Sequence, residues 1–148
     1  MKTQHTATLD ADTRRRLVQA AADARQHAYV PYSHYPVGAA ILTASGNIYD
    51  GCNVEIASYG ATVCGERTAA FKAVSEGERD FLAVAVVTSN GATPCGICRQ
   101  VLYEFGPQMH VIALDTEGNV QWEGPLDELL PHGFGPKKLA EGQEAAQE

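Results

Sequence analysis

Residues 81–98 read FLAVAVVTSNGATPCGIC, and the fold is decided there. The run Phe81–Thr88 is apolar almost without interruption. That is the pattern of a strand buried on both faces, which needs helices on each side of its sheet. Thr93 and Pro94 then predict the N-cap and first position of a helix that runs to about Phe105.

Working outward, Asp10 predicts the cap of a helix from Ala11 to about His27. Leu17, Ala20, Ala21 and Ala24 fall at i, i+3, i+4 and i+7, a single apolar stripe. The segment Tyr29-Val30-Pro31-Tyr32-Ser33 breaks that pattern. Val37–Thr43 and Asn47–Val54 predict two strands flanking the turn Ala44-Ser45-Gly46. A second helix is expected from about Val63 to Glu76, stopped by Gly77. Downstream, His110–Leu114 and Asn119–Trp122 predict short strands, and Pro125–Leu130 a helical turn. Residues 1–9 and the polar tail 141–148 (EGQEAAQE) are expected to be flexible. The order of elements predicts one α/β domain spanning 1–148, a three-layer α/β/α sandwich around a mixed sheet of about five strands.

A chain of 148 residues can bury a core without disulfide staples. The net charge of −7 argues against a domain built to hold nucleic acid on a basic surface. Arg14-Arg15-Arg16 is the dense basic run, and it reads as a solvated helix face. No apolar leader and no membrane-length run is visible, so a soluble cytoplasmic protein is expected. In such a protein, cysteines at positions 52, 64, 95 and 98 point to metal binding or redox chemistry before disulfides.

Cys95 and Cys98 stand at i and i+3, on one face of the predicted helix and in its first turns. There the unpaired N–H groups and the helix dipole favour thiolate. Cys64 opens the preceding helix in the same way. Two helix starts converging on one point would bring three thiolates to a zinc ion and leave a fourth tetrahedral position open, as catalytic zinc sites do. Taken alone, the Cys-x-x-Cys pair is equally compatible with a redox protein or a structural zinc module, and Cys64 with a buried thiol. Cys52 is expected in the core, because strand alternation turns it away from Asn53 and Glu55. Glu66, two residues after Cys64, can reach past the helix end and shuttle protons between water and a leaving group. Zinc with three thiolates carries a formal charge of −1. Arg67, three residues after Cys64, is on the same helical face and can withdraw charge from a sulfur.

These residues resemble a known family. Cys64-Gly65-Glu66-Arg67 with Pro94-Cys95-Gly96-Ile97-Cys98-Arg99-Gln100 is similar to the small, homotetrameric cytidine deaminases, the three-cysteine variant of the zinc deaminase signature. None of the five histidines is followed two residues later by Glu, so the His-ligand variant does not apply. The resemblance runs from about Ala22 to Phe134 and includes Pro31-Tyr32-Ser33, Val37-Gly38-Ala39-Ala40, Gly51-Cys52-Asn53-Val54-Glu55 and Leu129-Leu130-Pro131. It implies zinc-dependent deamination of cytidine and deoxycytidine to the uracil nucleosides, with one zinc per subunit on Cys64, Cys95 and Cys98, and Glu66 as the catalytic acid–base. It implies Asn53 and Glu55 at the sugar hydroxyls and Tyr35, commonly Phe in relatives, flanking the base. Gly65 and Glu66 would read the pyrimidine edge, and the Thr93 carbonyl would take the exocyclic amine. It also implies a homotetramer whose active sites are shared through Phe134. Gly65 stands where Ala is common, which predicts a looser helix start. The Tyr35 hydroxyl needs a partner. A deaminase of blasticidin-type antibiotics is the nearest alternative, and Asn53-x-Glu55 favours plain ribose over it.

Overall fold

The computed structural model describes residues 9–147. Helix α1 (Ala11–Arg25) begins at Asp10, whose carboxylate accepts from the Thr13 N–H at 2.7 Å. Strands β1 (Gly38–Thr43) and β2 (Ile48–Cys52) form a hairpin. They are followed by α2 (Gly65–Ser75), β3 (Phe81–Val87), α3 (Gly96–Phe105), β4 (His110–Leu114), β5 (Val120–Pro125) and α4 (Pro136–Ala145). The strands make one sheet in the order β2-β1-β3-β4-β5, with β3 and β4 parallel and the other neighbours antiparallel. This is the mixed five-stranded α/β sandwich that the sequence predicts.

Alternation along the central strands sorts side chains between two cores. Ala39, Ile41, Val84, Val86 and Val111 pack with Ala69, Ala70 and Ala73 of α2 and Leu102 of α3. Ala40, Leu42, Ala83, Ala85, Val87, Ile112 and Leu114 pack with Leu17 and Ala21 of α1. Both faces of β3 are therefore covered, except at Leu82, which is 36% exposed. The β1–β3 register shifts between Leu42 and Thr43, so Leu82 has no opposite residue and turns out of the sandwich.

Two glycines set how closely the helices approach. A Cβ on Gly38 would overlap the Ala21 carbonyl and the Arg25 backbone, and one on Gly51 would lie 2.5 Å from the Ala69 nitrogen. Their bare backbones let α1 and α2 press against opposite faces of the hairpin. That contact seats the start of α2 beside the end of β2.

Several boundaries differ from expectation. α3 starts at Gly96 with Cys95 as N-cap, rather than with Thr93 as cap and Pro94 as first residue. The Thr93 hydroxyl accepts from Arg99 Nη2 at 2.8 Å, and a tertiary bond has replaced the cap. α2 starts at Gly65 rather than Val63, because Val63 exchanges backbone hydrogen bonds with Val54. β2 stops at Cys52, since the Asn53 side chain takes over the next N–H of the neighbouring strand's lead-in. Glu141–Ala145, within the tail expected to be flexible, form the second half of α4, with Glu141 paired to Lys138 at 2.9 Å; Glu148 lies outside the described residues. At the other end the expected mobile segment 1–9 lies outside the described residues except for Leu9, which packs on the α1-side core. The basic run is not wholly solvated: Arg14 is half-buried and pairs with Glu123 at 2.5 Å. No helix among the described residues is long and apolar enough to cross a membrane.

Candidate active site

Two helix starts meet at the thiols. Cys64 is the N-cap of α2, Cys95 the N-cap of α3, and Cys98 lies in the first turn of α3. The ligand atoms of the three residues all lie within 4.8 Å of one another, with Cys64 Sγ and Cys95 Sγ 3.8 Å apart. Neither capping cysteine uses its side chain to cap its own helix, so both sulfurs are free for a ligand. Cys98 is buried, Cys64 half-buried and Cys95 exposed, which leaves the cluster open on one side. Cys52 is absent from the group. It is half-buried rather than a full core residue, and burial pushes its thiol pKa up.

The electrostatics of the cluster call for a cation. The hydrogen bond from the Cys98 thiol, with help from Arg67 and Cys95, lowers Cys64 to about 5. The same bond, then burial and the negative charges of Glu66 and Cys64, drives Cys98 strongly upward. One thiolate forms readily, and each further one is opposed by those already there. A divalent ion removes that opposition, and zinc suits three soft thiolates held at this spacing. The donor set therefore fits zinc, with Cys64, Cys95 and Cys98 as the residues that would hold it.

Arg67 and Glu66 complete the cluster. Arg67 Nη2 donates to Cys64 Sγ at 3.4 Å, and its Nε is buried without a hydrogen-bond partner among the described residues. Burial pulls the Arg67 pKa down, but its bonds to the Cys64 and Cys98 sulfurs outweigh this and hold it above its ordinary value. Glu66 is 4% exposed, with Oε2 3.9 Å from Cys98 Sγ. Burial, reinforced by the Cys64 charge, raises its carboxyl to about 7. A carboxyl so placed can both accept and return a proton at neutral pH.

Asn53 and Glu55 flank this centre from the segment after β2. Val54 pairs with Tyr29 on one side and Val63 on the other, which holds the segment extended. The two residues are buried on the same side of that segment, while Val54 between them is exposed. Asn53 Oδ1 accepts from the Val37 N–H and its Nδ2 donates to the Tyr35 carbonyl, each at 2.9 Å. The amide thus retains one N–H and one lone pair for a ligand. Glu55 Oε1 accepts from the Tyr32 and Ser33 N–H groups at 3.1 and 3.0 Å, and its second oxygen stays free. The Ser33 hydrogen bonds hold the Glu55 carboxyl below its usual range.

Gly65 is buried at the first position of α2. A Cβ there would lie 3.2 Å from the Val37 carbonyl and 3.4 Å from the Asn53 nitrogen, so the expected looser helix start is instead a close one. The Tyr35 hydroxyl finds its partner in Asn90 Oδ1 at 2.5 Å. Thr93 is half-buried, and no hydrogen bond of the described residues ends on its carbonyl. Phe134 accepts at its carbonyl from Gln100 Nε2, on α3, at 2.6 Å. It is 58% exposed and lines a cavity of about 1020 Å³ with Tyr103, His132 and Lys138, a cavity that none of the three thiols borders.

Asn90 and Arg99 were not singled out from sequence. Nothing in an Asn-Gly pair points to a distant tyrosine. Arg99, four residues after Cys95, did carry a signal: at that spacing a long side chain can fold back over the helix start.

Residues 11–114 match the family model of the cytidine and deoxycytidylate deaminase zinc-binding region. The chain is 47% identical over 128 residues to a cytidine deaminase of Sporosarcina psychrophila, covering 84% of this chain and 93% of that one. It is 49% identical over 124 residues to a cytidine deaminase of Halalkalibacterium halodurans, covering 82% and 93%. Among solved structures, the cytidine deaminase of Burkholderia pseudomallei superposes with a TM-score of 0.77 at 45% identity, over 81% of this chain and 98% of that one.

Proposed function

The chain belongs to the cytidine and deoxycytidylate deaminase family, and on that premise we infer that it is a zinc-dependent enzyme hydrolysing cytidine and deoxycytidine to uridine and deoxyuridine with release of ammonia, a step of pyrimidine salvage. The observation that carries the reading is a buried carboxyl, Glu66, set against three converging thiols. A redox dithiol or a closed structural zinc site has no use for that carboxyl.

Zinc held by Cys64, Cys95 and Cys98 supplies Lewis acidity toward water and toward the charge that develops in the reaction. Glu66 takes a proton from the attacking water and holds it on its carboxyl. It gives that proton to N3 as oxygen adds to C4, then takes the remaining proton from the hydroxyl now on C4 and carries it to the exocyclic amine. The C4–N bond breaks, ammonia leaves, and C4 keeps the oxygen. Arg67 draws charge from the Cys64 sulfur. Asn53 and the free oxygen of Glu55 hold the sugar hydroxyls, Tyr35 flanks the base, the Gly65 backbone and Glu66 read the pyrimidine edge, and the unengaged Thr93 carbonyl receives the amine.

The catalytic domain spans the whole chain, acts in the cytoplasm, and assembles as a homotetramer whose active sites are completed by Phe134 of a neighbouring subunit. The large exposed face of Phe134 supports that assembly. Light scattering of the purified protein tests it, and a monomer with full activity would refute it.

The activity itself is tested by metal analysis together with the fall in cytidine absorbance. One zinc per chain and turnover of both nucleosides are expected. Glu66→Gln should keep its zinc and lose turnover by about a hundredfold or more. Near-normal turnover in that variant, or none in the wild type, would sink the reading.

A further inference from the structure

The segment between β3 and α3 carries Thr93 and Pro94 to the site, yet none of residues 89–94 makes a backbone-to-backbone hydrogen bond with another described residue. Such a stretch has no ladder of its own to fix it, and side chains must hold it. At its start, the buried Thr88 hydroxyl accepts from the Ala92 N–H at 3.0 Å, and Asn90 takes the Tyr35 hydroxyl. Its end is held by Arg99. Nε donates to the Pro94 carbonyl at 2.6 Å, Nη2 to the Thr93 hydroxyl at 2.8 Å, and Nη1 to the Leu129 carbonyl at 2.9 Å. All three nitrogens of the guanidinium are engaged, and the two acceptors on residues 93 and 94 flank the Thr93 carbonyl along the chain. That carbonyl is itself left without a partner among the described residues.

We propose that Arg99 is a positioning residue for the reaction: its fork fixes the Thr93–Pro94 turn so that the Thr93 carbonyl is presented, unpaired, to the amine of the substrate base. The geometry suits arginine alone. A planar guanidinium can serve three oxygens in different directions, whereas an ammonium on a flexible stem cannot hold all three together. Pro94, which is fully buried and lacks an N–H, adds stiffness but no hydrogen bond of its own that could do this work. Leu129 provides the far anchor, so that the turn is referenced to the helical turn Leu126–Glu128 that follows β5 and not only to its own helix.

This inference rests on the deaminase reading above, and the experiment separates the two. Arg99→Lys keeps the charge and loses the fork. Its kcat/KM for cytidine should fall on the order of tenfold, the worth of one well-placed hydrogen bond. Uridine carries a carbonyl in place of the amine and cannot donate to Thr93, so its inhibition constant should change less than about twofold on the same scale. Zinc per chain should match the wild type. Equal losses for cytidine and uridine overturn the proposal, since Arg99 would then support the site as a whole. Loss of zinc in step with activity also overturns it, placing the residue with the metal ligands. If the wild type does not deaminate cytidine, the functional reading falls first and takes this inference with it. Should Arg99→Lys fail to fold, Thr93→Val removes one of the three acceptors and keeps the carbonyl. It must show the same cytidine-over-uridine split at smaller size, and absence of the split overturns the proposal.

Discussion

Arg67 Nη2 lies 3.4 Å from Cys64 Sγ, so the cation that relieves the thiolate comes from the same helix, one turn further on. A three-thiolate zinc site is over-supplied with negative charge, and a donor on one sulfur reduces what reaches the metal. Arg67→Gln keeps a donor but removes the charge. Turnover should fall about 10- to 100-fold, the usual cost of losing an outer partner of a metal ligand. Turnover and bound zinc measured on the same preparation check this. Unchanged values for both would refute that role for Arg67.

Asn53 and Glu55 should fail in different ways. The Asn53 amide holds the backbone of Val37 and Tyr35 in a buried place, so Asn53→Ala strands two backbone groups as well as any sugar contact. Each unsatisfied buried group costs about 1–3 kcal/mol, and the variant should unfold at lower denaturant concentration. Glu55→Gln keeps an oxygen to accept from the Tyr32 and Ser33 N–H groups and changes only the outward atom. It should raise KM for cytidine with little change in the unfolding midpoint. Denaturation curves beside KM values separate the two, and equal stability losses would contradict the assignment.

Alternation and the spacing of thiols were legible because they are local. The run Phe81–Val87 and the hairpin before it predict the sheet and its two covers, and Cys64, Glu66, Arg67, Cys95 and Cys98 predict the cluster. What sequence reasoning missed is tertiary. Thr93 has the chemistry of a helix cap, but Arg99 takes its hydroxyl, and the helix begins two residues beyond the expected first position. The Tyr35 hydroxyl is satisfied by Asn90, 55 residues away. Arg14, half-buried, reaches Glu123 on the last strand of the sheet. Gly65 reads locally as a loose helix start, and only the packing of α2 against Val37 and Asn53 shows it to be a close one.

That packing separates two glycine variants. In Gly65→Ala the new Cβ meets the Val37 carbonyl at 3.2 Å, which a shift of a few tenths of an ångström relieves. The gain in helix propensity, about 0.5–1 kcal/mol, offsets the strain, and activity should stay within about threefold of wild type. In Gly38→Ala the Cβ overlaps the backbone of α1 on one side of β1, where neither element can yield. The cost should be about 3 kcal/mol or more, the upper end of overpacking. Thermal unfolding of both variants checks the contrast, and a Gly38→Ala protein as stable as Gly65→Ala would refute the close approach of α1.

Acid should loosen the hairpin through Glu78. Its Oε1 accepts from the Ser45 hydroxyl, from Asn47 Nδ2 at 3.2 Å and from the Tyr49 hydroxyl at 3.3 Å, joining the β1–β2 turn to the lead-in of β3. The Ser45 bond is the largest cause that holds the Glu78 carboxyl below its ordinary value. A carboxyl lowered in the folded state stabilises the fold above its unfolded pKa, and that stabilisation is lost as pH falls through the folded value. Wild type should therefore melt above Glu78→Gln at pH 7, and the gap should close as the pH drops below the ordinary glutamate range. Melting curves of both proteins from pH 7 downward test this. A gap that stays constant with pH would mean that the hydrogen bonds contribute by geometry alone, with no part for the charge.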